Sequence, residues 1–397
     1  MNETGPMTDV AGALEEIKAG RMIVVVDDED RENEGDLTLA AEYVTPEAIN
    51  FMAKHGRGLV CLTLTEERAD YLRLGPMTQE NSSRFGTAFT ETIEAREGVT
   101  TGISAYDRAH TIKVAIDPRS TAHDLARPGH VFPLRARKGG VLVRAGQTEA
   151  SVDLARLAGL IPAGVICEIM KDDGTMARVP DLMGFCEKHG LKMLTVAELI
   201  RYRLQHERYI VRVAESPVPT EFGEFRMIAY ESEVHGGESH VALVKGDVSG
   251  EEPVLVRVHS HCLAGDAFGT TLCECQRTMR QSLKTIAEAG RGALIYLHNA
   301  SRGFEIEPAG VGEVGRILFH REARARERHE ERRQRILREV GLGGQILADL
   351  GIHRIRLMSN TPTHVPALQG FSVEIVEQVP ISLADGERGL AAKASAE

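Results

Sequence analysis

Three cysteines stand close together in the stretch "HCLAGDAFGTTLCEC" at residues 261–275. Cys262, Cys273 and Cys275 are half of the chain's six cysteines, and thiolates clustered in a loop are typical of a zinc site. A structural zinc usually has four protein ligands, whereas three ligands leave one position open for water. The pattern therefore favours an open, catalytic-type zinc site, which His259 or His261 could close. A four-ligand structural zinc and buried free thiols remain alternatives.

A second group that could do chemistry is the acidic run "DDEDRENEGD" at residues 27–36. Seven of its ten residues carry carboxylates, and their mutual repulsion is tolerable mainly where a cation or another positive partner neutralises them. The run follows the apolar segment "RMIVVV", which is predicted to form a buried strand. This pattern predicts a divalent-cation site at the end of a strand, and a solvated acidic loop is the alternative.

Apolar periodicity and capping residues place the elements around these groups. The cysteines lie between a predicted strand, "PVLVRVHS", and a predicted helix, "RTMRQSLKTIAEAG". In the first half, one helix is predicted to begin near Asp9, and "TPEAINFMAKHG" predicts another that Thr45 caps and Gly56 ends. The helical pattern "TVAELIRYRLQHER" closes this half, and the proline-bearing "VAESPVPTEFGE" after it predicts an extended link.

Length and composition bound the architecture. A chain of 397 residues exceeds what one hydrophobic core usually serves, so we expect two domains at residues 1–210 and 211–385, followed by a flexible tail at residues 386–397. No apolar run of about 18 residues could cross a membrane, and the N-terminus lacks a secretory signal pattern, so a cytoplasmic protein is expected. The net charge of −11 argues against a general nucleic-acid binder.

The second half resembles GTP cyclohydrolase II, a zinc enzyme that opens the guanine ring in riboflavin synthesis. The resemblance runs from about Glu221 to Ile381, through "GDVSGEEPVLVRVHSHCLAGDAFGTTLCEC", "GRGALIYL", "GLGGQILADLGIHRIRLMSN" and "FSVEIVEQVPI". It implies a three-layer αβα-like fold, with Arg338 helping to expel pyrophosphate. The implied zinc ligands are Cys262, Cys273 and Cys275. The residues implied to bind the nucleotide GTP are Arg257, His259, Ser260, Arg302 and Ser359.

Several residues depart from this family's pattern. Where the family has Q-E-G-R, this chain has "NASR" at residues 299–302, with Ala300 in place of the glutamate. The family's aspartate two residues before the arginine is Ile336 here, its glutamine after the third cysteine is Thr278, and its phosphate-contacting lysine is His364. Isoleucine cannot accept a proton. The sequence therefore predicts a zinc-bearing domain that does not turn over GTP at a useful rate.

The first half resembles 3,4-dihydroxy-2-butanone 4-phosphate synthase nearly throughout residues 10–208. The motifs are "TAFTETIEA", "GVTTGISAYDRAHTI", "RPGHVFPLRA", "GGVLVRAGQTEASVDLARLAG" and "PAGVICEIMKDDGTMARVPDL". That synthase converts ribulose 5-phosphate into a four-carbon ketone phosphate and formate. The resemblance implies a complex α+β fold, a Mg2+ or Mn2+ ligand at Glu32, and His130 and Glu168 as the catalytic pair. The residues implied to bind substrate are Arg31, Asp36, Arg144, Ala145, Gly146, Gln147 and Thr148.

One departure falls inside this site. The family reads G-H-T-E-A, and its histidine is the second metal ligand, whereas this chain reads "GQTEA" with Gln147 at that place. An amide oxygen suits Mg2+ but is a poorer donor than imidazole. We therefore expect Gln147 to be a weak metal ligand and metal binding to weaken without vanishing.

The two halves together have the layout of the bifunctional riboflavin-biosynthesis family, with a mixed α/β fold in two domains. The first functional hypothesis is a synthase that makes 3,4-dihydroxy-2-butanone 4-phosphate and formate from D-ribulose 5-phosphate, joined to a folded zinc-bearing remnant. A diverged enzyme acting on a related sugar phosphate or nucleotide in another pathway is the second, and a non-catalytic binding or regulatory paralogue is the third. A homodimer is expected, without nucleic-acid or membrane partners.

Overall fold

The computed structural model describes residues 5–27, 31–83, 86–232, 238–298, 305–307, 314–318, 329–360, 371 and 373–383, with only the backbone at residues 238, 305, 306 and 329–338. The chain divides into two compact units, residues 1–203 and 204–397. The expected flexible tail at residues 386–397, together with Ala300, Arg302 and His364, lies outside the described residues. Within the described part, no helix is both long and apolar enough to cross a membrane.

The first unit is built on one mixed seven-stranded sheet with the order β4-β5-β3-β6-β2-β1-β7. Its strands are β1 Ile23–Val26, β2 Gly35–Ala40, β3 Cys61–Leu64, β4 Ile93–Ala95, β5 Leu125–Arg135, β6 Ala163–Glu168 and β7 Lys192–Thr195. Its helices are α1 Val10–Lys18, α2 Pro46–Phe51, α3 Glu66–Tyr71, α4 Ala105–Ile116, α5 Gln147–Leu157, α6 Val179–His189 and α7 Val196–His206. The pairs β1–β7 and β3–β5 are parallel, and the other neighbouring pairs are antiparallel.

Capping side chains begin the first two helices where the sequence predicts them. Asp9 Oδ1 accepts a hydrogen bond from the Gly12 amide over 2.8 Å, and Thr45 Oγ1 accepts one from the Ala48 amide over 3.2 Å. After α2 the chain continues through a π-helical turn that ends at Gly56, as predicted. The apolar segment "RMIVVV" supplies β1, whose four residues are all buried. These local predictions are confirmed.

A buried ion pair ties helix α5 to helix α7. Arg203 Nη1 donates to Asp153 Oδ2 over 2.7 Å, and both side chains are almost fully buried. Arg203 also donates to the carbonyl of Gly139, and Asp153 accepts the Val141 amide, each over 2.8 Å. Burial raises the pKa of Asp153, and the charge of Arg203 opposes that rise. The pair therefore holds two helices and the loop that leads to Arg144.

The second unit has a seven-stranded sheet of order β16-β15-β11-β12-β10-β9-β8 and a separate two-stranded sheet, β13-β14. Its strands are β8 Ile210–Thr220, β9 Gly223–Ser232, β10 Glu238–Lys245, β11 Val254–Ser260, β12 Gly292–Leu297, β13 Glu305–Glu307, β14 Arg316–Leu318, β15 Arg354–Met358 and β16 Glu374–Val379. Its described helices are α8 Cys275–Ala289 and α9 His329–Asp349. In the larger sheet, β16, β15, β11 and β12 run parallel, and the remaining pairs are antiparallel.

Helices α8 and α9 cover opposite faces of the larger sheet. Leu283 and Ile286 of α8 belong to one apolar cluster with Leu255 of β11. Gly343 of α9 lies instead against Val258 of the same strand. Side chains alternate along a strand, so positions an odd number of residues apart point to opposite faces. This unit is therefore a helix–sheet–helix sandwich, as the expected αβα-like fold requires.

The proline-bearing segment after the first unit is a strand rather than a free link. Residues of "VAESPVPTEFGE" form most of β8, which pairs with β9 at the edge of the sheet. Pro217 and Pro219 fit there because an edge strand leaves one row of backbone positions unpaired, where no N–H donor is needed. The predicted extended conformation is confirmed. The pairing of this segment with β9 was not predicted from the sequence.

Candidate functional site

The acidic loop of the first unit is folded around Asp27, the residue that follows β1. Asp27 Oδ2 accepts hydrogen bonds from Arg31 Nη1 over 2.6 Å and from the Glu32 amide over 3.2 Å. Its other oxygen, Oδ1, accepts the Glu34 amide over 2.9 Å. The Arg31 side chain is only 7% exposed, so its charge neutralises the carboxylates in a setting that water screens little.

The N-terminus of helix α5 lies against this loop. Arg31 Nη1 donates to Gln147 Oε1 over 3.0 Å, and Gln147 Nε2 donates to the Glu34 carbonyl over 3.3 Å. A Cβ atom on Gly146 would lie 2.5 Å from Arg144 Nη1 and 3.0 Å from Arg31 Nη2, so the two guanidinium groups lie on either side of this glycine and a larger residue would push them aside. Two guanidinium groups beside a helix N-terminus are well suited to bind a phosphate.

The substrate residues expected from the sequence are thus brought together in one place. Arg31 Nη1 also lies 3.1 Å from Glu32 Oε2, so the same nitrogen contacts both expected metal ligands, Glu32 and Gln147. Thr148 is buried in the first turn of α5, and Ala145 is buried immediately before that helix. Both the oxygen and the nitrogen of the Gln147 amide are therefore hydrogen-bonded within the protein.

Asp36 and Glu168 form a carboxylate pair on neighbouring strands. They are directly opposed in the antiparallel register of β2 and β6, so their side chains share one face of the sheet. Burial raises the pKa of Asp36 well above its usual range, and the nearby charges of Glu168 and Glu32 add to the rise. A divalent cation would relieve this repulsion, and carboxylate oxygens are donors that Mg2+ and Mn2+ prefer. No three of the described acidic side chains in this unit, however, lie close enough together to share one ion.

Glu168 itself is held by the loop before β3. Its Oε2 accepts the Leu59 amide over 2.8 Å, and a Cβ atom on Gly58 would lie 2.5 Å from the same oxygen. Gly58 therefore allows the backbone to approach the carboxylate, and this contact fixes the position of the Glu168 side chain.

We expect the affinity of the first unit for Mg2+ to rise with pH. The pKa of Asp36 is raised, so this carboxyl loses its proton only above the usual acidic range, and a cation held nearby by Glu32 would favour its ionised form. Titration calorimetry with Mg2+ at about pH 5.5 and about pH 8 should show tighter binding at the higher pH, with release of protons at the lower one. An Asp172→Asn variant, which alters an exposed carboxylate, is the control. Equal affinity at both pH values would contradict the expectation.

His130 contacts the carboxylate of Glu94 rather than that of Glu168. Its Nδ1 lies 3.0 Å from Glu94 Oε1, and the side chain is 43% exposed. Among the described residues, no hydrogen bond or ion pair joins His130 to Glu168, its expected catalytic companion. Glu94 belongs to the segment "TAFTETIEA", but nothing in the sequence distinguishes it from its neighbours, because Glu94 and His130 meet only when β4 pairs with β5.

The three thiols of the second unit converge as the sequence predicts. Their sulfur atoms all lie within 4.8 Å of one another, and Cys262 Sγ and Cys273 Sγ are 3.8 Å apart. A Cβ atom on Gly265 would lie 2.6 Å from Cys273 Sγ and 3.1 Å from Cys262 Sγ, so glycine is needed for this approach. Burial raises the pKa of Cys262 and of Cys275, so a cation is needed to hold the thiolate forms. Three close sulfur donors fit zinc.

Asp266 organises the surroundings of the three thiols. Its Oδ1 lies 2.9 Å from His259 Nε2, and its Oδ2 accepts the Tyr296 hydroxyl over 2.9 Å and the Cys262 amide over 2.8 Å. The Nε2 atom of His259 is thus already hydrogen-bonded to the Asp266 carboxylate. Within the described segments, the group of residues close enough to share one metal ion contains the three cysteines and neither His259 nor His261.

Comparison with known proteins gives the same division of the chain. The family model of 3,4-dihydroxy-2-butanone 4-phosphate synthase matches residues 11–202, and that of GTP cyclohydrolase II matches residues 211–380. The riboflavin biosynthesis protein RibBA of Aquifex aeolicus is 53% identical to this chain and covers 94% of it, over 92% of its own length. The chain belongs to the bifunctional riboflavin biosynthesis family.

Other members of this family match over a similar length. RibBA of Bacillus cytotoxicus is 47% identical over 94% of this chain and 92% of its own. The crystal structure of RibBX, a two-domain 3,4-dihydroxy-2-butanone 4-phosphate synthase from A. baumannii, is 41% identical, has a TM-score of 0.75, and covers 94% of this chain and 99% of that chain. The resemblance of both halves, inferred from their motifs, is confirmed.

In the GTP cyclohydrolase II domain, the structure describes some of the residues that the sequence predicts to bind or act on GTP. Ser260 ends β11 and Ser359 follows β15, so both lie at the carboxyl edge of these parallel strands, where ligands commonly bind. Arg257 Nη1 donates to the Met358 carbonyl over 3.0 Å. Arg338 lies on α9, of which only the backbone is described at that position, and Arg302 lies outside the described residues.

Proposed function

We propose that the domain at residues 1–210 converts D-ribulose 5-phosphate into 3,4-dihydroxy-2-butanone 4-phosphate and formate. The observation that carries this proposal is the convergence of Arg31 and Arg144 at the N-terminus of α5, beside the acidic loop. A phosphate site thus adjoins a cluster of carboxylates that can hold a cation and move protons. Family membership supports the proposal, and so does the related RibBX, which is described as a synthase with two domains.

Each group has a distinct task in this proposal. Arg144 and residues 145–148 hold the phosphate, and Arg31 and Asp36 orient the sugar. Glu168 and His130 accept and return protons during enolisation, dehydration and rearrangement. A divalent cation bound by Glu32, with Gln147 as the weaker ligand, would polarise the sugar oxygens and so acidify the neighbouring C–H and O–H groups. The chain is also proposed to form a homodimer.

The direct test is formate release by the purified full-length protein supplied with ribulose 5-phosphate and Mg2+. Release at a rate within the usual range of enzymes, about 1 to 1000 per second, supports the proposal. No release from ribulose 5-phosphate, with release from another pentose phosphate, would favour the diverged enzyme. Binding of sugar phosphates without any turnover would favour the non-catalytic paralogue.

Replacing Gln147 by histidine is expected to tighten Mg2+ binding and to raise the rate of formate release severalfold. The imidazole nitrogen is a stronger donor than the amide oxygen, which is shared with Arg31. Titration calorimetry and the formate assay measure the two effects. Gln79→His, at an exposed position of the same unit, is the matched control. Unchanged metal affinity and unchanged rate in Gln147→His would count against a ligand role for this position.

The domain at residues 211–385 is proposed to bind zinc through Cys262, Cys273 and Cys275 for structural reasons, without opening GTP. The thiols are kept and converge, whereas Ala300, Thr278 and Ile336 replace groups that the family uses. Zinc held by three cysteines would cross-link the loop between β11 and α8.

We therefore expect no measurable ring opening of GTP, even with excess Zn2+ and Mg2+. Loss of a general base alone typically costs about a hundredfold to ten-thousandfold, and the replaced glutamate and lysine remove further contacts. The assay follows the absorbance change and the formate of ring opening, and formate release from ribulose 5-phosphate by the same preparation serves as the control. A turnover of about ten per second with GTP would overturn this part of the proposal.

A further inference from the structure

The carboxylate of Glu94 fixes the ring of His130 in one orientation. We propose that Glu94 is a positioning residue, which keeps the proton of the neutral imidazole on Nδ1 and leaves Nε2 as the atom that accepts a proton from substrate. This inference rests on the proposed synthase function for its catalytic consequence. Its structural part, the choice of tautomer, stands on the contact between the two side chains.

The geometry of the pair determines the tautomer. His130 Nδ1 and Glu94 Oε1 are 3.0 Å apart, which is a hydrogen-bond distance. An ionised carboxylate can only accept hydrogen bonds, so Nδ1 must carry the proton. A neutral imidazole has one N–H and one bare nitrogen, so Nε2 holds the lone pair. Among the described residues, Nε2 of His130 has no hydrogen-bond partner.

The backbone of Gly102 closes over this pair. Gly102 has a φ of +85°, in the region that favours glycine. A Cβ atom at this position would lie 1.0 Å from Glu94 Oε1 and 2.6 Å from His130 Nδ1. Any side chain here would therefore displace the carboxylate, and the absence of one lets the loop cover the contact from one side.

Helix α4 holds both parts of this arrangement. Asp107, almost fully buried in its first turn, accepts the amides of Thr100 and Gly102 over 3.1 and 3.0 Å and the Thr100 hydroxyl over 2.8 Å. These donors lower the pKa of Asp107, so the carboxylate that holds the loop stays charged. Further along α4, Thr111 Oγ1 accepts the Ala95 amide over 3.0 Å, next to Glu94 on β4. One helix thus positions the carboxylate and the loop that covers it.

The contact matters because His130 is otherwise weakly restrained. Its side chain is 43% exposed, so without Glu94 the ring could turn and exchange tautomers in water. A base that presents the wrong nitrogen cannot accept a proton, and misplacement by about 1 Å can cost about a hundredfold in rate. Glu94 therefore acts through His130, and no contact of Glu94 with the substrate is required.

The test uses a nitrogen–proton correlation spectrum of the full chain labelled with 15N-histidine, at about pH 8.5, where an ordinary imidazole is neutral. The signals of His130 are identified by their loss in His130→Gln. The parent should show the pattern of the Nδ1–H tautomer. Glu94→Gln keeps the size of the side chain but offers both a donor and an acceptor, so mixed tautomers are expected. Formate release should fall about a hundredfold through kcat, with little change in KM.

A second variant reaches the same contact without changing Glu94. Gly102→Ala should displace the carboxylate and give the same mixed tautomers and the same loss of kcat. The controls are Glu97→Gln, an exposed carboxylate of the same segment, and Gly184→Ala, where a Cβ atom meets nothing within 4 Å. Both controls should keep the parent's spectrum and rate.

The two readouts separate this inference from the proposed function. If the parent releases no formate but Glu94→Gln changes the tautomer, the synthase proposal fails and the positioning of His130 by Glu94 stands. If Glu94→Gln keeps the Nδ1–H pattern, or changes it while kcat stays at the parent's value, the inference is overturned.

Discussion

Glu168→Gln is expected to release formate from ribulose 5-phosphate about a hundredfold to ten-thousandfold more slowly than the parent, which is the usual contribution of a general base. The amide has the size of the carboxylate, and its oxygen can still accept the Leu59 amide that now bonds Glu168 Oε2 over 2.8 Å. The side chain should therefore keep its place. It can no longer accept a proton, so the loss should appear in kcat with little change in KM.

The control for this variant is Glu187→Gln, which removes an exposed carboxylate from α6 in the same unit. It should release formate at the parent's rate. The assignment of Glu168 would be wrong if Glu168→Gln kept more than about a tenth of the parent's kcat, because a general base contributes more than that.

Cys273→Ser is expected to lose the zinc ion and to lower the melting temperature of the second unit. Apparent free energies of zinc binding at structural sites are about 10–16 kcal/mol near neutral pH, so loss of one thiolate removes a large part of the stabilisation. In the parent, Cys262 Sγ and Cys273 Sγ are 3.8 Å apart, so replacing Cys273 removes one donor from a closely grouped set of three. Elemental analysis should find about one zinc per parent chain and a small fraction of that in the variant.

Cys186→Ser provides the comparison for the cysteine variant, because Cys186 is a buried thiol of the first unit, on α6. It should keep the full zinc content, whatever it does to the stability of the first unit. A parent protein without zinc would rule out the zinc site. So would a Cys273→Ser variant that melts at the parent's temperature.

Local signals in the sequence predict many elements of the fold. Thr45 and Gly56 mark the two ends of a helical segment, and the apolar run of β1 and the pattern of α8 are equally clear. The proline-bearing segment shows the limit of such signals. Pro217 and Pro219 identify an extended conformation, but the pairing of β8 with β9 depends on where the edge of the sheet falls.

The candidate site was predicted as residue types but not as contacts. Gln147 departs visibly from the family motif, yet its hydrogen bond with Arg31 joins positions 116 residues apart, which only the folded chain brings together. Glu94 carries no local signal at all. Its contact with His130 depends on the register of β4 and β5 and on the close approach of Gly102.

The ion pair between Asp153 and Arg203 determines where the two halves of this chain can be separated by protein engineering. A fragment that stopped at the end of β7 would retain Asp153 on α5 but lose Arg203. Of the ion pairs that Asp153 makes with described residues, only the one with the half-exposed Arg156, over 3.8 Å, would remain. Removing one partner of a buried pair typically costs about 3–5 kcal/mol. A stand-alone fragment of the first half should therefore extend through His206, the end of α7, so that helix α5 keeps its anchor.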